Sequence, residues 1–275
     1  MSGQMQGQVY RGPVERYIYG VGAAITAVTV TANHVAISIP AGKGGTLVEV
    51  QVIIKSALTT VVNSGGWINL HNSSTDWIPF EAFLPAQTML TSGAVEMKPY
   101  RIACSKYLPG NSTVYVDYTA YDDQNQYLEV ILKYILGPKP VEETFSKTTP
   151  LDNWKKASAV STVARTNWGV VAIPGAKGGT MTSLGAMYWP TLENAISRGG
   201  ALVDWTVDSH DLLPMYMHTQ VSATATSGAI LVEPDLYPCR DVVIANSNYT
   251  IYGTSNDDQS HSIGGMVCWK RPYTG

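Results

Sequence analysis

Charged side chains are scarce in this sequence. Asp, Glu, Lys and Arg make up 14% of its 275 residues, against about 25% in a typical soluble protein. The formal net charge is −3, and no run of Lys and Arg occurs. Binding along a nucleic acid backbone depends on clustered cations, so the composition argues against a direct nucleic acid partner. A low content of charged residues is compatible with two alternatives: a surface largely buried in an assembly, or a neutral surface rich in Ser, Thr and Asn.

Long apolar runs and paired cysteines are also missing. No apolar stretch approaches the roughly 20 residues that a membrane-spanning helix needs, and the polar N-terminus lacks the apolar core of a secretory signal. Cysteine occurs only at Cys104, Cys239 and Cys268. An odd number without close pairs does not predict a disulfide framework. We therefore expect a protein made in a cytoplasm, without a membrane span.

A repeated element is the clearest feature that is present. IPAGKGGT runs from Ile39 to Thr46 and IPGAKGGT from Ile173 to Thr180, so that their lysines are 134 residues apart. After a one-residue insertion in the second half, identities continue at an offset of 135. They include two copies each of TSGA and DDQ: Thr91–Ala94 with Thr226–Ala229, and Asp122–Gln124 with Asp257–Gln259. So many identities in one order predict a tandem duplication.

The duplication predicts the domain organisation. Residues 1–14, rich in Gln and Gly, are expected to form a flexible N-terminal arm. The first unit covers 15–137 and the second covers 150–275. Residues 138–149 are predicted to be a linker between them, because they contain two prolines and a short charged run.

Both units are predicted to be β. Segments such as HVAISIP (34–40) and STVYVDYTAY (112–121) alternate apolar and polar residues, and the breaks between segments carry Gly, Pro, Asn, Asp and Ser. The connections are too short for the crossover helices of a parallel sheet. We predict an all-β protein of two tandem duplicated antiparallel β-sandwiches that are jelly-roll-like. A helical turn at 192–200 is a minor expectation.

The Lys–Gly–Gly element invites a phosphate-binding interpretation that its spacing does not support. A P-loop needs G-x-x-x-x-G-K-[ST] between a strand and a helix. Lys43 is instead followed by Gly44, the residue five before Gly42 is Ile37, and a strand pattern follows. In the second copy Ala176 precedes the lysine. A glycine hairpin that joins two strands is the favoured interpretation, because Gly adopts positive φ at no steric cost.

Two acidic segments are candidate sites: the DDQ triplets for a metal ion, and Asp204–Asp211 for a function acquired by one unit after the duplication. The DDQ triplets at 122–124 and 257–259 fall between the last two strands of each unit, where Asp commonly forms turns. The segment DWTVDSHD, Asp204–Asp211, combines carboxylates with a histidine. Neither follows the EF-hand pattern, so polar loops are favoured. The sequence predicts no metal, no cofactor and no catalytic residue.

Histidines and cysteines lack the spacing of a reactive site. The five histidines are His34, His71, His210, His218 and His261. None shows metal-ligand spacing, and packing is expected for the first two. Cys104 and Cys239 occupy equivalent positions in the two units, which is typical of small buried hydrophobes. With no nucleophile and base in evident partnership, the chain is expected not to be an enzyme, and a hydrolase is a third alternative.

The tandem sandwiches at 15–137 and 150–275, the polar arm and the missing catalytic set resemble viral structural proteins, in particular jelly-roll capsid proteins and phage capsid-decoration proteins. The resemblance implies a virion protein, made in the host cytoplasm, that self-assembles into homo-oligomers. It also implies trimers with pseudo-sixfold symmetry, contacts with other virion proteins, and an N-terminal arm docked on a neighbouring subunit. Lattice-forming and decorating roles both stay open.

The aromatic composition supports an alternative function. The chain has 16 Tyr and 7 Trp but only 3 Phe. Tyr and Trp are enriched at protein interfaces and suit surfaces with one apolar and one polar side, such as those that stack on sugars. A tandem carbohydrate-binding or adhesin module is therefore the alternative to a virion protein.

Overall fold

The structure is a computed structural model. It describes residues 14–22, 30–56, 65–72, 80–85, 87–88, 99–120, 126–149, 155–157, 166–190, 199–208, 210–211, 217–221, 235–255 and 261–274. The predicted helical turn at 192–200, the DDQ triplets and the arm before residue 14 lie outside these residues, apart from Gly199 and Gly200.

The described residues form strands and no helix, so the all-β prediction is confirmed. None of these ranges contains a helix with the length and apolarity needed to cross a membrane. The strands are β1 (Glu15–Val21), β2 (Thr31–Ile39), β3 (Gly45–Ser56), β4 (Gly65–His71), β5 (Phe80–Pro85), β6 (Gln87–Thr88), β7 (Tyr100–Leu108), β8 (Ser112–Ala120), β9 (Gln126–Leu136), β10 (Glu142–Thr148), β11 (Lys155–Ala157), β12 (Thr166–Ala172), β13 (Gly179–Pro190), β14 (Gly199–Val207), β15 (His210–Asp211), β16 (Met217–Val221), β17 (Asp235–Pro238), β18 (Val242–Val243), β19 (Asn248–Ser255) and β20 (His261–Pro272).

Three sheets make up the fold. The first has five strands in the order β1-β9-β3-β6, with β7 also paired to β3. The second has ten strands, in the order β17-β13-β20-β10-β5-β4-β8-β2, with β11 and β18 at its sides. The third is β12-β19-β14-β15, with β16 on β14. Apart from the short contacts β10–β5 and β3–β6, the pairs are antiparallel, as predicted for β-sandwiches.

Two hydrophobic cores lie between these sheets. In the first, strands of the first sheet pack on β2, β4, β5 and β8, and alternation decides the buried face: Val35, Ile37 and Ile39 of β2 are buried between exposed neighbours. In the second, the third sheet packs on β13 and β20, with the large rings of Trp205 and Trp269 fully enclosed. Period-two patterning therefore places the core residues of both halves.

The predicted linker, 138–149, contains a strand of the large sheet. β10 pairs with β20 along its whole length and contacts β5 in parallel at one residue pair. Its residues alternate between buried and partly exposed, and Phe145 is 2% exposed. The prolines and charged residues at the start of the segment follow the end of β9, but the segment does not continue as an unpaired linker. The large sheet is thus continuous between the halves, while the domain boundaries stay a prediction.

A buried ion pair joins β7 to β10. Lys106 Nζ lies 2.7 Å from Glu143 Oε1, and both side chains are less than a tenth exposed. The same ammonium lies 5.1 Å from the centre of the Phe145 ring, which stacks on Trp269 at 5.4 Å. A cation over an aromatic face is attracted by the ring quadrupole. One residue of β7 therefore ties the first core to the second.

The repeated Lys–Gly–Gly element forms a turn in both halves. The backbone N–H of Lys43 donates to the carbonyl of Pro40 at 3.1 Å, and that of Lys177 donates to Pro174 at 3.2 Å. The residue before each lysine has positive φ, 68° at Gly42 and 57° at Ala176, which is the sign that a type II turn requires there. A turn followed by a strand is confirmed in each copy, but the predicted hairpin is wrong, because the strands before and after each turn lie in different sheets.

The two glycines after each lysine are explained by close backbone approach. A Cβ on Gly45 would lie 2.1 Å from the carbonyl oxygen of Ile135, and one on Gly179 would lie 2.2 Å from that of Lys270. The two residues of the second contact lie 134 and 135 positions after their counterparts in the first, which is the offset seen in the sequence. The recurrence of glycine at these positions therefore has a steric cause and does not require a ligand.

A second turn also recurs at the sequence offset. Asn111 and Asn246 have φ of 60° and 62°. The hydroxyls of the following Ser112 and Ser247 each donate to the carbonyl three residues back, at 2.6 Å. Local backbone geometry is thus repeated in the two halves, and the duplication remains a prediction about their origin.

The residue before the lysine provides a reciprocal test. Ala176→Gly should raise the free energy of unfolding by about 1 kcal/mol, because an L side chain is strained at positive φ. Gly42→Ala should lower it by about the same amount, since a Cβ there meets no atom within 4 Å and only the strain remains. Urea unfolding measures both. Gly175→Ala, with open space and no positive φ, is the control, and a loss of stability in Ala176→Gly would contradict the argument.

The Lys106–Glu143 pair provides a second test. Lys106→Met should destabilise the protein by about 3 kcal/mol or more, because it leaves a buried carboxylate without its cation. The double variant Lys106→Met/Glu143→Leu should recover most of that loss, because neither charge then remains. Denaturant unfolding of the single and double variants gives the coupling. Equal stability of the two would show that the carboxylate is not isolated by the first substitution.

Candidate interaction surface

The two lysines of the repeated turn have different surroundings. Lys43 is exposed, whereas Lys177 is partly buried with its ammonium 6.0 Å from the centre of the Phe145 ring. The carbonyl of Lys177 also accepts a hydrogen bond from Trp269 Nε1 at 2.6 Å. The two turns therefore do not present equivalent cations, and a subunit contact made in the same way by both lysines is not supported by this geometry.

Most of the acidic segment Asp204–Asp211 is strand, because residues 204–207 end β14 and residues 210–211 form β15. Asp208 has φ of 43° and forms a turn after β14: its N–H donates to the carbonyl of Asn248, and its carboxylate accepts from the Asn248 N–H, both at 3.1 Å. The polar-loop interpretation is therefore wrong for the strand residues, where Trp205 is buried, and holds at Asp208. In the described ranges, no group of three or more His, Cys, Asp or Glu is arranged to hold a metal ion.

The first two histidines pack against tyrosine, as predicted. His34 stacks on Tyr118 with ring centres 5.8 Å apart, and His71 stacks on Tyr115 at 5.4 Å. His71 Nε2 also lies 3.1 Å from Asp117 Oδ1. The other three histidines have backbones on β15, β16 and β20, and their side chains lie outside the described part of the chain: His210, His218 and His261.

The cysteines are free and pack with the cores. Burial raises the pKa of Cys104 to about 12 and that of Cys268 to about 11. Burial also raises the pKa of Cys239, which packs against the second core. Thiols with a raised pKa are poor nucleophiles at neutral pH. All three cysteines are only partly buried where they pack against the cores, so their role as small buried hydrophobes stays a prediction.

Sequence reasoning missed a buried polar cluster on the large sheet. Asn69 of β4 pairs with Asp117 of β8 on one side and with Glu81 of β5 on the other, so the three side chains share one face. Each is less than a tenth exposed. The cluster joins residues 48 positions apart or closer in sequence but on three strands, and only the register brings them together. In this conformation it is closed to solutes.

Ion pairing and hydrogen bonds satisfy part of this cluster. Glu81 Oε1 lies 3.1 Å from Lys147 Nζ, which links β5 to β10. Burial raises the pKa of Glu81, and the charge of Lys147 opposes part of that shift. Asp117 accepts from the Asn33 N–H at 2.8 Å. The Asn69 carbonyl oxygen has no hydrogen-bond partner. The arrangement therefore costs stability at neutral pH rather than adding to it.

The first sheet exposes an apolar surface to solvent. On β1, Tyr17, Tyr19 and Val21 are 58%, 56% and 55% exposed. Across the β1–β9 pair, Tyr19 lies beside the partly buried Ile131, and Tyr127 further along β9 is also exposed. These five residues form the outer face. The three β1 residues make an apolar row that Ile131 extends, while Glu129 lies between Ile131 and Tyr127 on β9. Exposed apolar surface commonly marks an interaction site.

Two residues of β1 hold this orientation of the strand. Ile18 packs against the first core on the opposite side. A Cβ on Gly20 would lie 2.5 Å from a methyl of Val35, so that only glycine fits the close approach to β2. A shift of one residue would drive a large side chain into that contact and turn the tyrosines inward. The exposure of Tyr17 and Tyr19 is thus imposed by packing.

Ion-paired residues lie within and beside the outer face. Lys133 Nζ lies 3.2 Å from Glu15 and 5.7 Å from the centre of the Tyr17 ring. The hydrogen bond to Glu15 raises the pKa of Lys133. Lys55 pairs with Glu129 between β3 and β9. These contacts neutralise the charges beside the patch, which lowers the cost of covering it with another surface.

β1 is also an open edge. Among the described strands it pairs only with β9. The bonds from Gly22 N–H to Leu128 and from Leu136 N–H to the Val14 carbonyl show that even-numbered residues of β1 face β9. The odd-numbered residues therefore direct their backbone N–H and C=O groups outward. Natural edges are usually blunted by proline, bulges or charged residues. β1 has no proline and pairs without a bulge, and its charged residues are Glu15 and Arg16 at its start.

Comparison with known proteins gives structural likeness only. No protein family matches the chain, and no curated protein matches its sequence. Among solved structures, a recombinant peptide N-glycanase F (PNGase F) has a TM-score of 0.44 and 9% identity over 95% of this chain and 97% of that one. The infectious bursal disease virus VP2 subviral particle has a TM-score of 0.27 and 9% identity over 94% and 72%. The CBM22-1-CBM22-2 tandem domain from Paenibacillus barcinonensis Xyn10C has 0.23 and 11% over 93% and 93%.

These likenesses correct one expectation. The chain was expected not to be an enzyme, because no catalytic motif is recognisable in a tandem β-sandwich. That expectation is overturned, because the solved structures to which the chain is weakly similar include an N-glycanase. At these TM-scores the likenesses assign no function to the chain.

The raised pKa of Glu81 predicts a pH dependence of stability. Above the ordinary value of 4.5, the folded protein keeps a proton that the unfolded chain has lost. The free energy of unfolding should therefore fall as pH rises through the interval above 4.5. Glu81→Gln should remove this component, so that the difference between wild type and variant falls with pH and then levels.

Urea unfolding at a series of pH values measures that difference. Glu142→Gln, at an exposed carboxylate of β10, controls for the loss of one charge. A difference that rises with pH would place the folded pKa of Glu81 below 4.5 and contradict the assignment.

Proposed function

We propose that the protein is a structural component of a virion, either in the capsid or associated with it, that self-assembles through its β-sandwiches. The observation that carries the proposal is the outer face: packing forces two tyrosines and a valine of an open edge strand into solvent. A chain with only 14% charged residues also suits extensive burial between subunits, because interface cores are depleted in charge.

In this proposal the chief partner is a second copy of the chain, and trimers and other virion proteins complete the assembly. Its location is the virion, after synthesis in the host cytoplasm. Two similar but unequal halves would give each subunit two related contact surfaces, and closed symmetric oligomers are the common outcome of such self-association.

A carbohydrate-binding or adhesin module is the second candidate. The tyrosines of the outer face favour it, because exposed rings on a flat sheet can stack on sugars. The described tryptophans favour it less: Trp168, Trp205 and Trp269 are buried in the second core. A glycan array separates the candidates, since the first predicts association without sugar and the second predicts specific sugar binding by a monomer.

Self-association should depend on the outer face. We expect the purified chain to form oligomers whose size grows with concentration in sedimentation velocity, and electron microscopy of its source to place it in regular particles. Tyr127→Glu should weaken association at least tenfold, because it puts a charge into a surface that must be desolvated.

Val242→Glu is the matched control, since Val242 is 67% exposed on β18, outside the outer face. A chain that stays monomeric at its highest soluble concentration and is absent from particles would overturn the proposal. Equal losses in both variants would move the contact away from the outer face.

A further inference from the structure

Along the side of β1 that faces away from β9, the backbone groups have no pairing partner among the described strands. Even-numbered residues use theirs in the ladder to β9, so Glu15, Tyr17, Tyr19 and Val21 present one N–H and one C=O each toward solvent. An arriving strand must match this spacing, because antiparallel partners exchange both bonds at every second residue. The pattern of free groups therefore limits which strand fits and in which register.

From this pattern we infer that two copies of the chain pair through β1, antiparallel and in register across a two-fold axis at Ile18. The inference rests on the proposed self-assembly and names the contact that starts it. In this register Tyr17 of one copy is opposite Tyr19 of the other, and Glu15 is opposite Val21. All four outward-facing residues then exchange both hydrogen bonds with the second copy.

Other registers of the same pair satisfy fewer groups. Pairing must move in steps of two residues, because a step of one would bring the outer face of one copy against the core-facing side of the other. A shift of two residues toward either end leaves Glu15 or Val21 without a partner on β1. The Ile18 register is thus the one in which the strand is fully complementary to itself.

The side chains agree with the backbone in this register. The two Tyr17–Tyr19 pairs put four tyrosines side by side on the outer face, and directly opposed aromatic residues stabilise antiparallel strands. On the inner side, Arg16 is opposite Gly20, so the long side chain meets a residue without one. No two like charges are opposed, since Glu15 and Arg16 each face an uncharged residue.

The area of the contact sets its strength. A tyrosine buries about 150–250 Å² in full, so four rings that are a little over half exposed contribute roughly 400 Å². Specific stable interfaces bury at least about 1,200 Å². The strand pair should therefore be weak between two free copies and persistent where further contacts hold the copies together, as in a multivalent assembly.

Cysteine cross-linking tests the register directly. Directly opposed residues of a hydrogen-bonded antiparallel pair have Cα atoms about 5.5 Å apart, within the roughly 4.4–6.8 Å that a disulfide spans. Tyr17→Cys chains mixed with Tyr19→Cys chains should form disulfide-linked dimers on oxidation, read on a non-reducing gel. Each variant alone should remain uncross-linked, because 17 is not opposite 17 and 19 is not opposite 19.

Each possible result of the cross-linking either supports or contradicts the inferred pairing. Dimers in the mixture alone support the inference. Dimers of Tyr17→Cys alone or Tyr19→Cys alone would overturn the Ile18 register in favour of a shift by two residues. Dimers in none of the three samples would overturn the pairing of β1. The native cysteines are no rival, because their buried thiols are held neutral and the wild type serves as the blank.

Failure here and failure of the proposed function are distinguishable. Wild-type chain that forms concentration-dependent oligomers while no cross-link appears would keep self-assembly and remove β1 as its contact. Wild-type chain that stays monomeric, with no cross-link in any sample, would remove both. Circular dichroism of the two cysteine variants confirms their fold, which the exposure of both side chains leads us to expect unchanged.

Discussion

The packing of Phe145 in the middle of the large sheet is the constraint on which the rest of the fold depends. Its ring stacks on Trp269 and lies beneath the ammonium of Lys106, which Glu143 neutralises. Because β10 also pairs with β20 and meets β5, this one strand joins the sheet surfaces on which both cores are built. A tether in its place would leave two sandwiches free to move, whereas the strand fixes them as one continuous sheet.

The packing of β1 explains why its tyrosines stay in solvent. The first sheet is held by the first core, and Ile18 and Gly20 already occupy the side of β1 that faces this core. The polar groups on the large sheet behave in the opposite way, since Glu81 and Asp117 are buried with partners. Among the described residues, titratable groups are therefore buried on the large sheet while apolar residues of an edge strand are exposed on the first.

Local patterns predicted much of this fold, and long-range pairing decided the rest. The alternation of apolar and polar residues predicted strands such as β2 and β8, and the Lys–Gly–Gly element predicted turns. The segment around Glu143 looked like a linker because prolines and charges are typical of exposed chain, and only a lysine on a distant strand makes that charge acceptable in a core. The polar cluster around Asn69 could not be predicted from the sequence, because only the pairing register of three strands brings its residues together. The outer face was hidden because Tyr17, Ile18 and Tyr19 are consecutive, so that alternation does not tell which side is buried.

The alternation of β20 has a consequence for synthesis. Met266 enters the first core while Val267 and Trp269 enter the second, so one strand near the C-terminal end of the described chain completes both. A polypeptide emerging from a ribosome must release this strand before either half can close its hydrophobic interior. Until then β10 and β13 lack the strand with which both of them pair. Translation thus delays completion of the large sheet until nearly all of the described chain has been made.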